Sequence, residues 1–270
     1  MIPSLTDDEF REISEYINKN YGVDLTKKRL LIEGRLGQYI AELGFKNYHD
    51  YFIYATHRHS SREIANLINR LMTSHSFFMR EKDHFEFYRS HVLPWVDREL
   101  GDRDLRVWSA GCSSGQEPYT LSIIAMEYFS MCSRATDTVI LASDISEEAL
   151  RRARRGIYSS GELAALPHAW RVRWFREAGA AHFRVNEELR ANVAFKCANL
   201  LDDMAAKKPF HLIMCRNVMI YFDAETKNRV LGKFYDALRS GGYLFVGHSE
   251  TISLERSGFA YVAPSIYRKP

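Results

Sequence analysis

Two glycines and a carboxylate carry the first chemical signal in this sequence. Gly111 and Gly115 follow a short β-prone run, Leu105–Trp108, and precede an apolar-periodic segment that starts near Tyr119. That order is strand, tight turn, helix. Glycine tolerates positive φ and lets a ligand approach the main chain, and in open α/β sheets ligands sit at the C-terminal strand ends. A second β-branched and aliphatic run, Thr138–Ala142, ends in Ser143-Asp144. A carboxylate at that point, about 30 residues after a glycine loop, can hold a ribose diol, two acceptor oxygens matching two hydroxyls. It can also N-cap the helix from Ser146, a job Ser146 can do itself. The glycines are spaced Gly-x-x-x-Gly, so a dinucleotide fingerprint is not matched. Two glycines in a turn can be structural only.

These residues need a sheet to carry them. An α/β domain starting near Asp104 is expected. A third buried strand is Phe210–Cys215, and a long helix over 223–239 has Asp223 as cap and Val230, Leu231, Phe234 and Leu238 facing inward. Gly241-Gly242 should end that helix, Tyr243–Val246 is another strand, and Phe259–Val262 with Ser265–Arg268 can close the sheet as an antiparallel pair. Alternating strands and helices predict a mostly parallel sheet. Residues 156–198 interrupt the alternation with Gly156, Gly161, Pro167 and Gly179, and His182–Val185 and Val193–Cys197 read as strands there.

The first 72 residues read as a small helical domain. Thr6 and Glu9 form a capping box ahead of Phe10, Ile13 and Ile17. A second helix is expected from about Thr26 to Leu43 with Leu36, Ile40 and Leu43 buried, a third from Asn47, and a fourth on Ile64, Leu67, Ile68, Leu71 and Met72. Phe85–Leu100 reads as a connecting helix interrupted near Pro94. The resulting division is 1–80 helical, 81–103 linker and 104–270 α/β, with 156–198 as an insertion.

At 270 residues there is room for one large domain and a small one. Net charge is +3, but residues 151–190 hold nine arginines against four glutamates. That basic stretch can meet an acidic partner or be a solvated face. The four cysteines, Cys112, Cys132, Cys197 and Cys215, are scattered, mostly beside small or apolar residues, without a Cys-x-x-Cys pair, which fits buried reduced thiols in a cytoplasmic protein and no zinc. No apolar run is long enough to span a membrane and no signal peptide opens the chain.

Arg216-Asn217-Val218-Met219-Ile220-Tyr221-Phe222-Asp223 lies at the end of the third buried strand. With Gly111–Tyr119, Ser143-Asp144, Asn199-Leu200 and Gly247-His248-Ser249-Glu250, it resembles the chemotaxis receptor glutamate methyltransferases, the CheR-type enzymes. The resemblance covers nearly the whole chain. It implies a Rossmann-like class I S-adenosylmethionine-dependent methyltransferase domain, a small N-terminal all-helical domain and a small β-subdomain at 156–198. It also implies methyl transfer from S-adenosylmethionine to a receptor glutamate carboxylate, giving a glutamyl methyl ester and S-adenosylhomocysteine, without metal.

The residue roles it implies can be set beside plainer ones. Ser74, Ser76 and Arg80 match a cofactor-touching stretch, with Ser74 in place of asparagine and Ser76 in place of threonine. Ser76 can instead cap a helix. Arg80 can bind the methionyl carboxylate or hold the substrate glutamate. Glu117 can accept from the methionyl ammonium or complement a helix dipole. Asn199 and Leu200 suit an adenine's edge and face, or simply end a strand. Arg216 and Asn217 can line the cofactor, and Arg216 can be a surface ion pair. Tyr221 can steer the incoming carboxylate or pack in the core. Lys28 and Arg35, seven apart and on one helix face, can attract the acidic receptor helices, or be solvated. His248 reads as structural, because a glutamate with a pKa near about 4.3 needs no general base. The expected partners are the cytoplasmic helices of methyl-accepting receptors, bound by a monomer. The short turn Glu177–Ala181 is similar to members that do not grip a receptor's C-terminal pentapeptide.

Three rivals stand beside this reading. A nucleic-acid methyltransferase would favour Asn/Asp-Pro-Pro-Tyr where Arg-Asn-Val-Met-Ile-Tyr stands, and a continuous basic groove. A binding module could keep the fold without catalysis. An oxidoreductase lacks its third glycine.

Overall fold

One carboxylate organises the start of the chain. Thr6 caps the first helix, α1 (Asp7–Tyr21), by accepting from the Glu9 N–H, and Glu9 answers by accepting from the Thr6 N–H at 2.8 Å. The other Glu9 oxygen accepts from the N–H groups of Tyr48 and His49 at 2.9 and 3.0 Å, where a later helix begins. Burial alone would raise the Glu9 pKa, but the hydrogen bonds to Thr6, His49 and Tyr48 outweigh it and hold the group below the usual carboxylate range. The computed structural model describes every residue except Met1, 58–60, 72–75, 101–103, 133–135 and 204–207. Ser74 and Met72 therefore lie outside the described residues.

The chain divides into two compact units, Met1–Ser74 with Tyr221–Lys227, and His75–Ile220 with Asn228–Pro270. In the first, α1 is joined by α2 (Arg29–Glu42), α3 (Tyr48–His57) and α4 (Ser61–Leu71). Ile13, Ile17, Ile32, Leu36, Ile40, Tyr48, Tyr51, Leu67 and Leu71 are buried. The second helix begins three residues later than the sequence suggests. Asp24 accepts from both the N–H and the hydroxyl of Thr26, a local turn that competes with the helix. The short return of chain at 221–227 is held by an antiparallel bridge between Val23 and Phe222 and by the Asn18 amide donating to Asp223 at 2.8 Å.

Among its described residues the second unit carries β1 (Val107–Ala110), β2 (Ile140–Asp144), β3 (Ile157–Ser159), β4 (Phe175–Glu177), β5 (His182–Val185), β6 (Val193–Cys197), β7 (Phe210–Cys215), β8 (Leu238–Val246), β9 (Ala260–Ala263) and β10 (Ile266–Arg268). Seven of them form one sheet in the order β6-β2-β1-β7-β8-β10-β9. Its first five strands are mutually parallel and the last two are antiparallel additions. Every residue of β1 and β7 is buried, as expected for central parallel strands covered on both faces.

Two strand assignments differ from the sequence reading. Val193–Cys197 pairs in parallel with β2, Asp144 opposite Cys197, and so belongs to the main sheet. The small antiparallel sheet is β3-β5-β4 alone, within 157–185. Gly241-Gly242 do not end a helix. The last long helix stops at Ala237 and β8 starts at Leu238, with a register shift against β7 between Phe210 and Leu212. A Cβ on Gly242 would lie 2.9 Å from the Arg239 carbonyl oxygen, so the glycine permits this irregular strand entry. The connecting segment is α5 (Lys82–Phe87), followed by wider π-helical turns at Tyr88–Val92 and Trp95–Leu100 on either side of Pro94, which has no N–H to donate. At the tip between β4 and β5, Gly179 has φ +116° and nothing within 4 Å of where a Cβ would stand. No helix among the described residues is long and apolar enough to cross a membrane.

Candidate active site

The loops leaving β1, β2, β7 and β8 meet at the C-terminal edge of the sheet. After β1, Gly111 has φ +82° and Gly115 has φ +97°, and Gly115 opens α6 (Gln116–Ser130). A Cβ on Gly111 would come within 2.4 Å of the Val218 side chain, and one on Gly115 within 2.9 Å of Ala153 and of the Tyr158 hydroxyl. Both positions need glycine for space as well as for backbone angle. Tyr158 donates to the Ser114 carbonyl at 2.7 Å, tying the loop to β3. The N–H groups of Gly111 and Cys112 donate to the Ser143 carbonyl at the end of β2.

Asp144 joins these two loops. One carboxylate oxygen accepts from the Ser113 N–H and the other from the Ser146 N–H, each at 2.8 Å. Ser146 itself caps α7 (Glu147–Arg155), accepting from Ala149. Asp144 is therefore not that helix's cap. A carboxylate has about four acceptor positions, and these backbone donors leave part of that capacity for a ligand hydroxyl. Burial raises the Asp144 pKa above the ordinary value, against the pull of its backbone hydrogen bonds.

Glu117 lies one residue inside α6. It accepts from the Ser109 hydroxyl at 2.7 Å and from the Arg216 Nε at 2.8 Å. The Arg216 side chain is 3 % exposed, so this is a buried pair and not a surface one. The same guanidinium donates to the Arg80 carbonyl at 2.7 Å and lies over the Phe85 ring at 5.2 Å. Arg216 thereby links the end of β7, the glycine-loop helix and the segment before α5. Phe78 anchors that segment, its ring edge-on to Tyr158 at 4.9 Å and to Phe175 at 5.9 Å.

The next residue, Asn217, is held in the left-handed region at φ +59°. Its amide donates to Glu81 at 3.1 Å, and its backbone N–H donates to Glu250 at 2.7 Å. Glu81, itself at φ +55°, also faces the His248 N–H. Burial would raise the Glu81 pKa, but the Asn217 amide and the Arg216 charge bring it below the usual range. His84 is fully buried, and burial together with Arg216 pulls its pKa down to about 4, so it is neutral at pH 7. Glu81, His84 and His248 bring one ligand atom each within 4.8 Å of one another. Arg216 lies 3.3 Å from His84 Nδ1 and 3.7 Å from Glu81, so the cationic place beside them is taken by a guanidinium.

Of the other residues expected at the site, Ser76 is half-buried at the head of the anchored segment. The Arg80 guanidinium sits 5.9 Å from the Phe77 ring centre. Asn199 and Leu200 follow β6, both half-buried, and the Asn199 side chain accepts from the Leu201 N–H. Tyr221, Lys28 and Arg35 belong to the helical unit. The Tyr221 carbonyl accepts from Asp24. Lys28 is the exposed residue preceding α2, and Arg35 donates to the carbonyls of Arg70 and Leu71, the end of α4. Sequence reasoning missed Glu81, His84 and Ser109 as parts of this network. The adjacency of Glu81 to Arg80 was the available signal. Glu250 was visible as part of a motif but had no role.

Residues 74–267 match the CheR methyltransferase SAM binding domain, and residues 8–72 match the CheR methyltransferase all-alpha domain. The chain belongs to the CheR methyltransferase family. It is 37% identical over 271 aligned positions to the chemotaxis protein methyltransferase of Borreliella burgdorferi, covering 98% of this chain and 95% of that protein. Against the proteins of the same name from Salmonella typhimurium and Escherichia coli it is 35% and 34% identical over 269 positions, covering 98% of this chain and 91% of each relative. The fold is accordingly the Rossmann-like class I methyltransferase fold with an all-helical N-terminal domain. The residues at the C-terminal edge of its sheet fit S-adenosylmethionine. Gly111 and Gly115 give the loop after β1 its positive-φ turns, Asp144 offers carboxylate acceptors, and Glu117 keeps two of its four lone-pair positions after serving Ser109 and Arg216.

Proposed function

We propose that this protein methylates glutamate side chains on the cytoplasmic helices of methyl-accepting chemotaxis receptors, releasing a glutamyl methyl ester and S-adenosylhomocysteine. The observation that carries this is the grouping of Asp144 at the end of β2, Glu117 in the first turn of α6 and Asn217 after β7 around the glycine loop in a chain of this family. S-adenosylmethionine, when bound, supplies a methyl group on a sulfonium. Asp144 holds the ribose, Asn199 and Leu200 take the adenine, and Glu117 receives the ammonium of the methionyl end. Ser74, Ser76 and Arg80 complete the donor side, Arg80 serving the methionyl carboxylate or the substrate glutamate. Arg216 acts from behind, holding Glu117 and the Arg80 main chain in place.

The nucleophile needs no base, since a glutamate with a pKa near about 4.3 arrives ionised. Neutral His84 is buried against Arg216 and is not offered this task. What the protein must do is orient the carboxylate and exclude water, and orientation alone can supply roughly 7–11 kcal/mol. Tyr221 is assigned the steering of the carboxylate. Lys28 attracts acidic receptor helices, an effect that salt weakens. The protein works as a cytoplasmic monomer without metal or nucleic acid. The tight β4–β5 turn, closed by the Ala178 N–H on the His182 carbonyl at 2.9 Å, favours recognition without a pentapeptide tether.

The test is transfer of labelled methyl from S-adenosylmethionine to receptor cytoplasmic fragments. Label released by mild base identifies a carboxyl ester. Absence of transfer, or base-stable label, overturns the proposal.

A further inference from the structure

The motif Gly247-His248-Ser249-Glu250 follows β8 directly, and the reaction as described leaves it without work. Glu250 is 5 % exposed, yet its carboxylate meets no cationic side chain among the described residues. It faces backbone instead. One oxygen accepts from the N–H groups of Gly247 and Asn217 at 2.6 and 2.7 Å, and the other accepts from Ile220 at 3.1 Å. A buried carboxylate satisfied only by main-chain donors is a clamp on the chain that supplies them. Two of the three donors belong to the loop after β7.

That loop is under constraint from three sides. Asn217 sits in the left-handed region, which asparagine tolerates better than most non-glycine residues, and its contacts hold it there. On one flank a Cβ on Gly247 would lie 2.9 Å from the Asn217 backbone nitrogen and side-chain amide. On the other, Val218 fills the space left by Gly111. Below, the Asn217 amide is tied to Glu81. The strand order places this loop on the β7–β8 side of the glycine loop, with Glu117 and Arg80 reached through Arg216, whereas Asp144 stands on the β2 side.

We infer that Glu250 is a positioning residue: through Gly247, Asn217 and Ile220 it fixes the loop after β7 so that the methionyl half of the donor is gripped, while the adenosyl half is held independently from β2. This rests on the donor reading above. It differs from a general contribution to stability, because only one half of the ligand should notice its loss.

The experiment compares two ligands of the full-length protein, by calorimetric binding and by inhibition of methyl transfer. S-adenosylhomocysteine carries the amino acid portion; 5′-methylthioadenosine lacks it. In Glu250→Gln, the amide must turn one N–H group toward backbone donors, so at least one bond is lost. Inhibition by S-adenosylhomocysteine should weaken about tenfold relative to wild type, the worth of one lost charged hydrogen bond, while inhibition by 5′-methylthioadenosine stays within about twofold. Gly247→Ala, which pushes on Asn217 from the other flank, should give the same split and serves if Glu250→Gln does not fold. Equal weakening of both inhibitors, or no change in either, overturns the inference. Failure of the wild-type protein to bind S-adenosylhomocysteine would instead overturn the proposed function.

Discussion

Glu117 and Arg216 form a buried ion pair, Oε2 to Nε 2.8 Å, that joins the first turn of α6 to the end of β7. Both termini of the pair are further engaged, by Ser109 on one side and by the Arg80 carbonyl on the other. Removing one partner strands the other charge in a poorly solvated place. Arg216→Met should therefore lower stability by about 3–5 kcal/mol, read as a shift in the urea midpoint, and Glu117→Gln in the same chain should restore part of it. A wild-type midpoint in Arg216→Met would show that the pair carries no structural weight.

Asp144→Asn keeps shape and loses charge. S-adenosylhomocysteine affinity, measured by calorimetry, should fall about tenfold or more, the cost of weakening charge-assisted bonds to a diol. Burial raises the Asp144 pKa in the folded chain, so wild-type affinity should fall as pH drops through that raised value, and the loss should be absent in the variant. For stability the sign reverses. The folded state holds this proton more tightly than the unfolded one, so acidification through the same window favours folding. Unchanged affinity in Asp144→Asn would remove this residue from the donor site.

Tyr221→Phe should slow turnover at saturating donor by roughly tenfold while leaving S-adenosylhomocysteine affinity within about twofold, because a steering hydroxyl acts on the nucleophile. Equal turnover in rapid-quench assays would return Tyr221 to a packing role.

Glu9 serves three backbone donors on two helices. Glu9→Ala should destabilise the protein at pH 7 by about 2 kcal/mol, the upper end for a lost cap. Since its folded pKa is depressed, this contribution is present above the unfolded value near 4.5 and disappears as pH falls through the folded one. Denaturation curves of wild type and variant should converge in acid.

Lys28 and Arg35 should separate. Lys28→Glu, on an exposed residue, should raise KM for receptor several-fold, flatten its salt dependence and leave the melting temperature alone. Arg35→Ala should lower stability by about 1 kcal/mol, because Arg35 donates to the final carbonyls of α4. Receptor KM moving equally in both, with no change in melting, would argue that both side chains face the substrate.

Local pattern carried most of the architecture. The capping box at Thr6, the buried runs of β1 and β7 and the closing pair β9–β10 are all signalled by nearby residues. The misplacements came where partners are distant. Val193–Cys197 looks like any short strand, and only its parallel pairing with β2 assigns it to the main sheet. Gly241-Gly242 resembles a helix terminus because a bulge against β7 has no local signature. At the site, the position of Asp144 at a strand end and of the glycines in a tight turn was legible because both have local signatures. Glu81 and Glu250 were not, since they meet chain far away in sequence and, for Glu250, only its main chain.

The tip of the β4–β5 hairpin stands apart from all of this. Gly179 has open space around it, and its turn is closed by bonds within the hairpin. Residues could be added there, or removed, without disturbing a single group around Glu117, Asp144 or Asn217. The hairpin tip is thus a place where the chain can lengthen or shorten over generations while the groups packed around Gly111 are held still.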